Sequence, residues 1–311
     1  MSTQTPLQPF RVSNDALQDS ALLQSRMKDE GYLFFQGLIT QERIQAVRKE
    51  ILTLCEQQGW LKEGTSMEEG VAKPGAVFVE PEPAYMALYN ELIKGEAFHD
   101  LALDPPLVNL LASLFGEPAL AHSRNIARII FPQNTQFTTP SHQDYIHIQG
   151  TMETYTAWIP LGDCPQELGS LAVLAGSHKA GVLPVQAAYG AGGVGIRTDD
   201  LPYQWVGSDF ASGDVVLFQS LTVHKALPNL NTERLRLSVD FRYQPLSHPV
   251  HPSSLLPHHN QITWEEVYAD WKKETHQYYW KRLPLNYAGQ DEALLELRRA
   301  AAETRPEDFK E

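Results

Sequence analysis

Three side chains in this sequence have the types and spacing of a metal chelate. In Ser141-His142-Gln143-Asp144 an imidazole and a carboxylate lie two residues apart, and on an extended backbone a period of two puts both on one face. A second imidazole, His224, follows the apolar run DVVLF within LTVHKALPN. Two histidines and one carboxylate on one side of an iron ion leave adjacent positions open for a chelating co-substrate and dioxygen. The same donors also suit a zinc ion that activates water for hydrolysis. Further on, Arg236-Leu237-Ser238 sets a guanidinium and a hydroxyl two residues apart. Together they can hold a carboxylate, the arginine through paired hydrogen bonds. An isolated HxD pair arises by chance in many chains, and a strand arginine is ordinarily a surface residue. It is their order along one β-rich region that makes the set meaningful.

The elements that must position these residues are legible from periodicity. Residues 13–30 open on Ser13-Asn14-Asp15 and space Leu17, Leu22, Leu23 and Met27 for a helix that Gly31 ends. Tyr32 to Phe35 reads as a short strand, and a second amphipathic helix opens at Thr40, so that residues 1–120 are mainly helical support. From residue 121 to 245 the texture changes. NIARIIF, TYTAWIPL, SLAVLAG, DVVLFQS and LRLSVDFRY are short β-rich runs separated by Gly, Pro, Asn and Asp, without the intervening helices of a parallel fold. The expectation is a mainly β core with helical cladding (α+β), built as a jelly roll or other double-sheet barrel. Residues 246–311 form a proline-rich loop followed by helices, one over residues 263–281 and one in DEALLELRRAAAETR. Neither a repeat nor a linker divides the chain, so residues 1–311 are expected to form one domain.

In LRLSVDFRY, Leu235, Leu237, Val239 and Phe241 make one face, and Arg234, Arg236, Ser238, Asp240 and Arg242 the other. In a barrel whose interior receives a charged ligand, the polar face is the inner one. His147 has the strand parity opposite to His142 and Asp144, which points to a substrate-facing or structural role. His248, His251, His258 and His259 lie among prolines and read as a surface loop covering the mouth of the site.

Composition narrows the partners. A net charge of −13 and a sequence pI near 5.3 oppose binding to nucleic acid or to anionic membranes. No apolar run is long enough to span a bilayer. Cys55 and Cys164 follow no disulfide or zinc-ribbon spacing, and free thiols suit a reducing cytoplasm. Amphipathic helices at both ends offer surfaces for subunit pairing.

Taken in order, these segments resemble the phytanoyl-CoA dioxygenase family of Fe(II)- and 2-oxoglutarate-dependent oxygenases. GYLFFQGLITQERIQAVRKEI is similar to its N-terminal strand and helix, and SHQDY to the segment carrying its HxD. YTAWIPLGDCPQELGSLAVLAGSHKAGVL looks like its central block, and GDVVLFQSLTVHKALPNLNTERLRLSVDFRYQ like its distal-histidine and arginine block. The resemblance implies a double-stranded β-helix (jelly roll, cupin-like). It makes His142, Asp144 and His224 the iron ligands, gives Arg236 and Ser238 the far carboxylate of 2-oxoglutarate, and sets Trp158 in the wall of the co-substrate pocket. The implied reaction uses O2 to hydroxylate or otherwise oxidise a C–H bond of a small molecule, with release of succinate and CO2. Related halogenases have a small residue where Asp144 stands, so halogenation is not implied. Two departures stand out. Arg234 and Arg236 lie ten and twelve residues after His224, on either side of the family's usual spacing, which leaves Arg234 as the alternative to Arg236. AGSH at Ala175–His178 replaces the usual PGSH. Arg128, Arg242, Tyr145 and His147 are the candidate contacts for an anionic or polar substrate. The competing readings are a zinc-dependent hydrolase and a non-catalytic small-molecule-binding protein on the same barrel.

Overall fold

The computed structural model describes residues 7–135 and 137–303. Helix α1 (Ser20–Glu30) starts where the Asp19 carboxylate accepts the Leu22 amide at 3.0 Å, and it ends at Gly31, whose φ of 75° forms the left-handed cap. Strand β1 (Tyr32–Phe35) and helix α2 (Gln41–Gln57) follow as the sequence predicts, α2 burying Ile44, Val47, Ile51, Leu52 and Cys55. Helices α3 (Pro83–Leu92), α4 (Glu96–Ala102) and α5 (Pro105–Phe115) complete this layer; α3 and α5 open on prolines, which cost nothing in a first turn.

The β core comprises β2 (Ala119–Ala121), β3 (Ile126–Ile130), the short helix α6 (Tyr145–Ile148), β4 (Tyr155–Pro160), β5 (Leu171–Ala175), β6 (Gln186–Ala187), β7 (Val194–Gly195), β8 (Gln204–Val206), β9 (Val215–Gln219), β10 (His224–Ala226) and β11 (Arg236–Pro245). A six-stranded sheet runs β1-β9-β4-β11-β2, with β3 also on β11. A three-stranded sheet runs β10-β5-β8, and every pairing in both sheets is antiparallel. The result is a mixed α and β fold with antiparallel sheets.

Alternation along the large sheet assigns its faces. Leu33, Phe35, Val215, Leu217, Ala157, Ile159, Leu237, Val239 and Phe241 pack with the N-terminal helices in one apolar core. Their neighbours Tyr32, Phe34, Val216, Phe218 and Trp158 meet Leu171, Val173 and Val206 of the small sheet in a second core. Along β11 the same alternation leaves Arg236, Ser238, Asp240 and Arg242 on the side of the small sheet, so the polar face is indeed the inner one.

The C-terminal extension departs from expectation. Residues 263–281 are not one helix but α7 (Trp264–Val267) and two 3-10 turns, Glu274–His276 and Tyr279–Arg282. A straight helix would hold Trp264 and Trp280 roughly 24 Å apart along its axis, whereas their rings sit 4.9 Å apart. Burial of Trp264, Tyr268 and Trp280 against Leu120 and Val250 outweighs the local helical pattern. The last predicted helix is present as α8 (Glu292–Glu303); Thr304 and Arg305 of that prediction lie outside the described residues. Among the described residues no helix is long and apolar enough to cross a membrane.

Candidate metal centre

His142 and His224 face each other across an antiparallel bridge, each amide donating to the other's carbonyl at 3.0 Å. Their ring centroids are 4.2 Å apart. His142 Nδ1 lies 2.8 Å from the Pro140 carbonyl, and His224 Nδ1 lies 3.0 Å from that of Thr222. A carbonyl oxygen only accepts, so each Nδ1 carries a ring proton and each Nε2 is the atom left to meet an ion. Both Nε2 atoms turn to Asp144 Oδ1, at 3.6 and 3.9 Å. The ligand atoms of the three residues lie within 4.8 Å of one another, and among the described residues no other group of three or more His, Cys, Asp or Glu converges in this way. Two imidazoles and one carboxylate, all buried, are a donor set that a divalent iron ion fits.

The local conformation differs from the extended backbone expected for HxD. His142 is held in the bridge to β10, but Asp144 is helical, at φ −65° and ψ −30°, and starts α6. Strand parity therefore does not apply to His147. It lies on that short helix with its ring 5.9 Å from the ring of His142, and it faces a cavity beside the three donors. Gln143 anchors the turn: its amide donates to Gly181 O at 2.8 Å and Leu221 O at 2.7 Å, and its oxygen accepts from the Leu183 amide.

The register of β4 against β11 sets Thr156 opposite Arg242, and both reach Asp144. Thr156 Oγ1 donates to Oδ2 at 2.5 Å, while Arg242 donates to Oδ2 at 3.4 Å and to Oδ1 at 3.2 Å. Burial alone would raise this carboxyl; the Arg242 guanidinium, foremost among its neighbours, instead holds it well below the usual range. Burial, with His142 alongside, pushes His224 down to about 3, so it stays a neutral donor. Replacing Thr156 with the near-isosteric Val is expected to lower metal affinity about 10- to 100-fold while leaving the fold intact. Metal titration alongside thermal unfolding checks both halves of that statement.

A small cavity opens on the three donors and is walled by Trp158, Arg236, Asp240 and Arg242. Arg236 is 3% exposed; its Nη1 donates to Ser238 Oγ at 2.5 Å and its Nε has no partner. Asp240, two residues on, is engaged by Arg128 at 3.7 Å. Arg234 is exposed and lies outside this cavity. Trp158 lines the cavity and packs edge-on against Phe210, 4.8 Å between centroids.

With this geometry in view, the chain's relatives are informative. The profile of the family described as phytanoyl-CoA dioxygenase (PhyH) matches residues 27–237, a stretch that includes all three donors and Arg236. The chain belongs to the phytanoyl-CoA dioxygenase family. It is accordingly an oxidoreductase of the iron- and 2-oxoglutarate-dependent kind. A 1-deoxypentalenic acid 11-beta-hydroxylase of Streptomyces arenae is 26% identical over 244 residues, covering 74% of this chain and 83% of that protein. A probable phytanoyl-CoA dioxygenase of Caenorhabditis elegans is 23% identical over 226 residues, 68% of this chain and 71% of that one. Among solved structures, the epimerase SnoN in complex with Fe3+, alpha ketoglutarate and nogalamycin RO superposes with a TM-score of 0.54 at 19% identity, covering 76% of this chain and 87% of that one. The non-heme alpha ketoglutarate dependent carbocyclase SnoK gives 0.51 at 18% identity, covering 78% and 89%. These two likenesses establish a shared fold.

Beyond what the phytanoyl-CoA dioxygenase family motifs announce, the site uses Thr156, Gln143 and Asp240. Thr156 and Asp240 each lie two residues from a residue singled out by motif, on the same strand face, and that parity was the available signal. Gln143 sat inside HxD itself, but nothing in its type distinguishes a buried anchor from a solvent-facing amide. The expected surface loop is also more than a loop. His258 is buried, 2.7 Å from the Tyr89 hydroxyl, and with His251 it lines the cavity beside the donors.

Proposed function

We propose that this chain oxidises a C–H bond of a small molecule, with His142, Asp144 and His224 holding Fe(II) and Arg236 with Ser238 holding the far carboxylate of 2-oxoglutarate. The observation that carries the residue assignment is the buried guanidinium of Arg236. A buried cation without an ionic partner is strongly destabilising, and this one is aimed into the cavity on which the three donors open. A dicarboxylate that reaches from metal to arginine relieves it. A zinc hydrolase has no use for such a cation.

In this reading Fe(II), 2-oxoglutarate and dioxygen together supply oxidative decarboxylation, to succinate and CO2, and the C–H oxidation. The chain's own residues do the rest. Pro140 and Thr222 carbonyls fix both imidazoles with Nε2 inward. Thr156 and Arg242 occupy the outer lone pairs of Asp144, leaving it one orientation. Trp158 and Phe210 close the inner end against water. The two facing antiparallel sheets are read as a double-stranded β-helix, and residues 1–311 as one oxygenase domain. In support of the single domain, the cavity wall draws Glu80 from the N-terminal layer, Arg128 and Arg242 from the core, and His251 and Arg298 from the C-terminal extension.

The test is anaerobic titration of metal-free protein with Fe(II) and then 2-oxoglutarate, followed by the weak visible charge-transfer band of the chelate. The band is expected in the wild type and absent in His142→Ala and Asp144→Ala, and both variants should lose substrate-stimulated succinate formation. Retained activity in both would remove these residues from the metal site.

A further inference from the structure

A second, larger cavity of about 380 Å³ lies against His142 and Asp144. Its wall is unusual for a chain of net charge −13: it carries Arg124, Arg128, Arg242 and Arg298 but only two carboxylates, Glu80 and Asp144. Those two carboxylates are spoken for. Arg128 pairs with Glu80 at 2.7 Å, and Arg242 with Asp144 at 3.2 Å. Arg124 and Arg298 remain, and among the described residues neither has an ion-pair partner or a side-chain hydrogen bond. Arg124 is half-buried on the segment between β2 and β3, its amide tied to Ser254 O at 3.1 Å. Burial, then Arg242 and Arg298, push its pKa down. Two cations share a concave wall whose two carboxylates are both paired with other arginines.

The rest of the wall is without charged acids or bases and mixes polar with apolar side chains. His122, His147 and His258 line it, and burial keeps each neutral at pH 7; His122 is pushed down to about 4 and His147 to about 3. Neutral imidazoles, Thr139, Gln149 and Ser253 offer hydrogen bonds to hydroxyl or carbonyl groups, while Ile126, Ile148, Ala191 and Leu295 supply apolar surface between them. A plain hydrocarbon chain would leave the guanidinium groups and these hydrogen-bonding groups without partners.

We infer that the substrate oxidised here is a small polar molecule bearing an oxyanion, a carboxylate or phosphate, which docks on Arg124 at the wall and Arg298 at the rim, its reacting C–H turned to the metal donors. The inference rests on the oxygenase reading of the site and deepens it to a substrate class. Arg124 supplies the fork that fixes orientation. Arg298, exposed on α8, supplies the second charge from the solvent side.

The experiment uses full-length protein loaded with Zn(II), which supports no turnover, and saturating 2-oxoglutarate. Fragment-sized carboxylic acids and phosphate monoesters are offered in pairs with their neutral methyl esters or parent alcohols, and binding is read by saturation-transfer NMR. In the wild type the anion of a pair should bind about tenfold or more tighter, as expected for a charge-assisted fork. Arg124→Met should erase that preference, Arg298→Met should weaken it, and Arg124→Lys should keep part of it. Neutral partners binding as well as anions, no anion binding at all, or a preference surviving both Met variants would overturn the inference. The Fe(II) and 2-oxoglutarate band, recorded in parallel on wild type and Arg124→Met, separates the two levels. A missing band in the wild type indicts the oxygenase site, while the anion preference, read without iron, still decides the substrate class.

Discussion

Arg236→Met is expected to abolish the charge-transfer band at 2-oxoglutarate concentrations that saturate the wild type, without lowering the thermal unfolding midpoint of the ligand-free protein. Both halves follow from one geometry. The guanidinium is buried, with its Nε unpartnered and Ser238 its side-chain contact. A paired arginine–carboxylate contact is worth about 3 kcal/mol, so its loss should weaken co-substrate binding about 100-fold. In the ligand-free protein the same group is an unrelieved buried charge, and an apolar side chain of similar length removes that penalty. A merely structural arginine predicts the reverse, an unstable variant that binds normally. Arg234→Ala, at an exposed position outside the cavity, should change neither quantity. A shift of the effect to Arg234 would transfer the co-substrate role to it.

Acidification should destabilise the metal-free protein well above the pH at which most of its carboxylates titrate. His99 and His122 are fully buried, and burial holds each at about 4, against about 6.5 in the unfolded chain. Their folded values are depressed, so between pH 6.5 and 4 the unfolded chain binds more protons. Stability is complete above 6.5 and falls with pH. From pH 7 to 5 these two residues alone cost about 4 kcal/mol, and His258, held well below its usual range by burial, adds in the same direction. Asp144, also depressed, loses its contribution only below the window of these histidines. Glu50, Asp214 and Asp240 are raised by burial and act the other way, which offsets part of the loss. Denaturant unfolding at pH 7.5 and 5.0 measures the difference. Equal stability at both values would mean that these histidines are not buried in neutral form, and His122→Asn should reduce the loss by about 2 kcal/mol.

The sequence was most readable where local pattern governed the outcome. Every β-rich run picked out between residues 121 and 245 contains a strand, because short apolar stretches bounded by Gly, Pro, Asn and Asp suit a sheet with both faces covered. The polar face of LRLSVDFRY could be assigned inward only on the premise that the interior receives a charged ligand, because alternation by itself gives a polar face without saying where it points. The convergence of His142, Asp144 and His224, with Arg236 on the same cavity, was legible from type and order. What escaped was set by contacts distant in sequence. The extended HxD became a turn because Gln143 finds three backbone partners contributed by residues 181, 183 and 221. The helix expected over 263–281 gave way to ring packing against Leu120 and Val250. The cationic cavity was invisible for a related reason: Arg124, Arg128, Arg242 and Arg298 are dispersed along an acidic chain, and only folding gathers them.

The mutual backbone bridge between His142 and His224 ties two of the three donors together through main-chain hydrogen bonds that need no ion to form. A pair held in this way pays little reorganisation to accept whichever divalent ion is offered, and intrinsic affinity for nitrogen and oxygen donors rises from Fe(II) through Co(II) and Ni(II) to Cu(II). Such a protein is exposed to mismetallation. The ion it carries after purification reflects the metal supply of the cell that made it, and zinc, nickel or copper already in place should hold it inactive until chelation and anaerobic reloading restore iron.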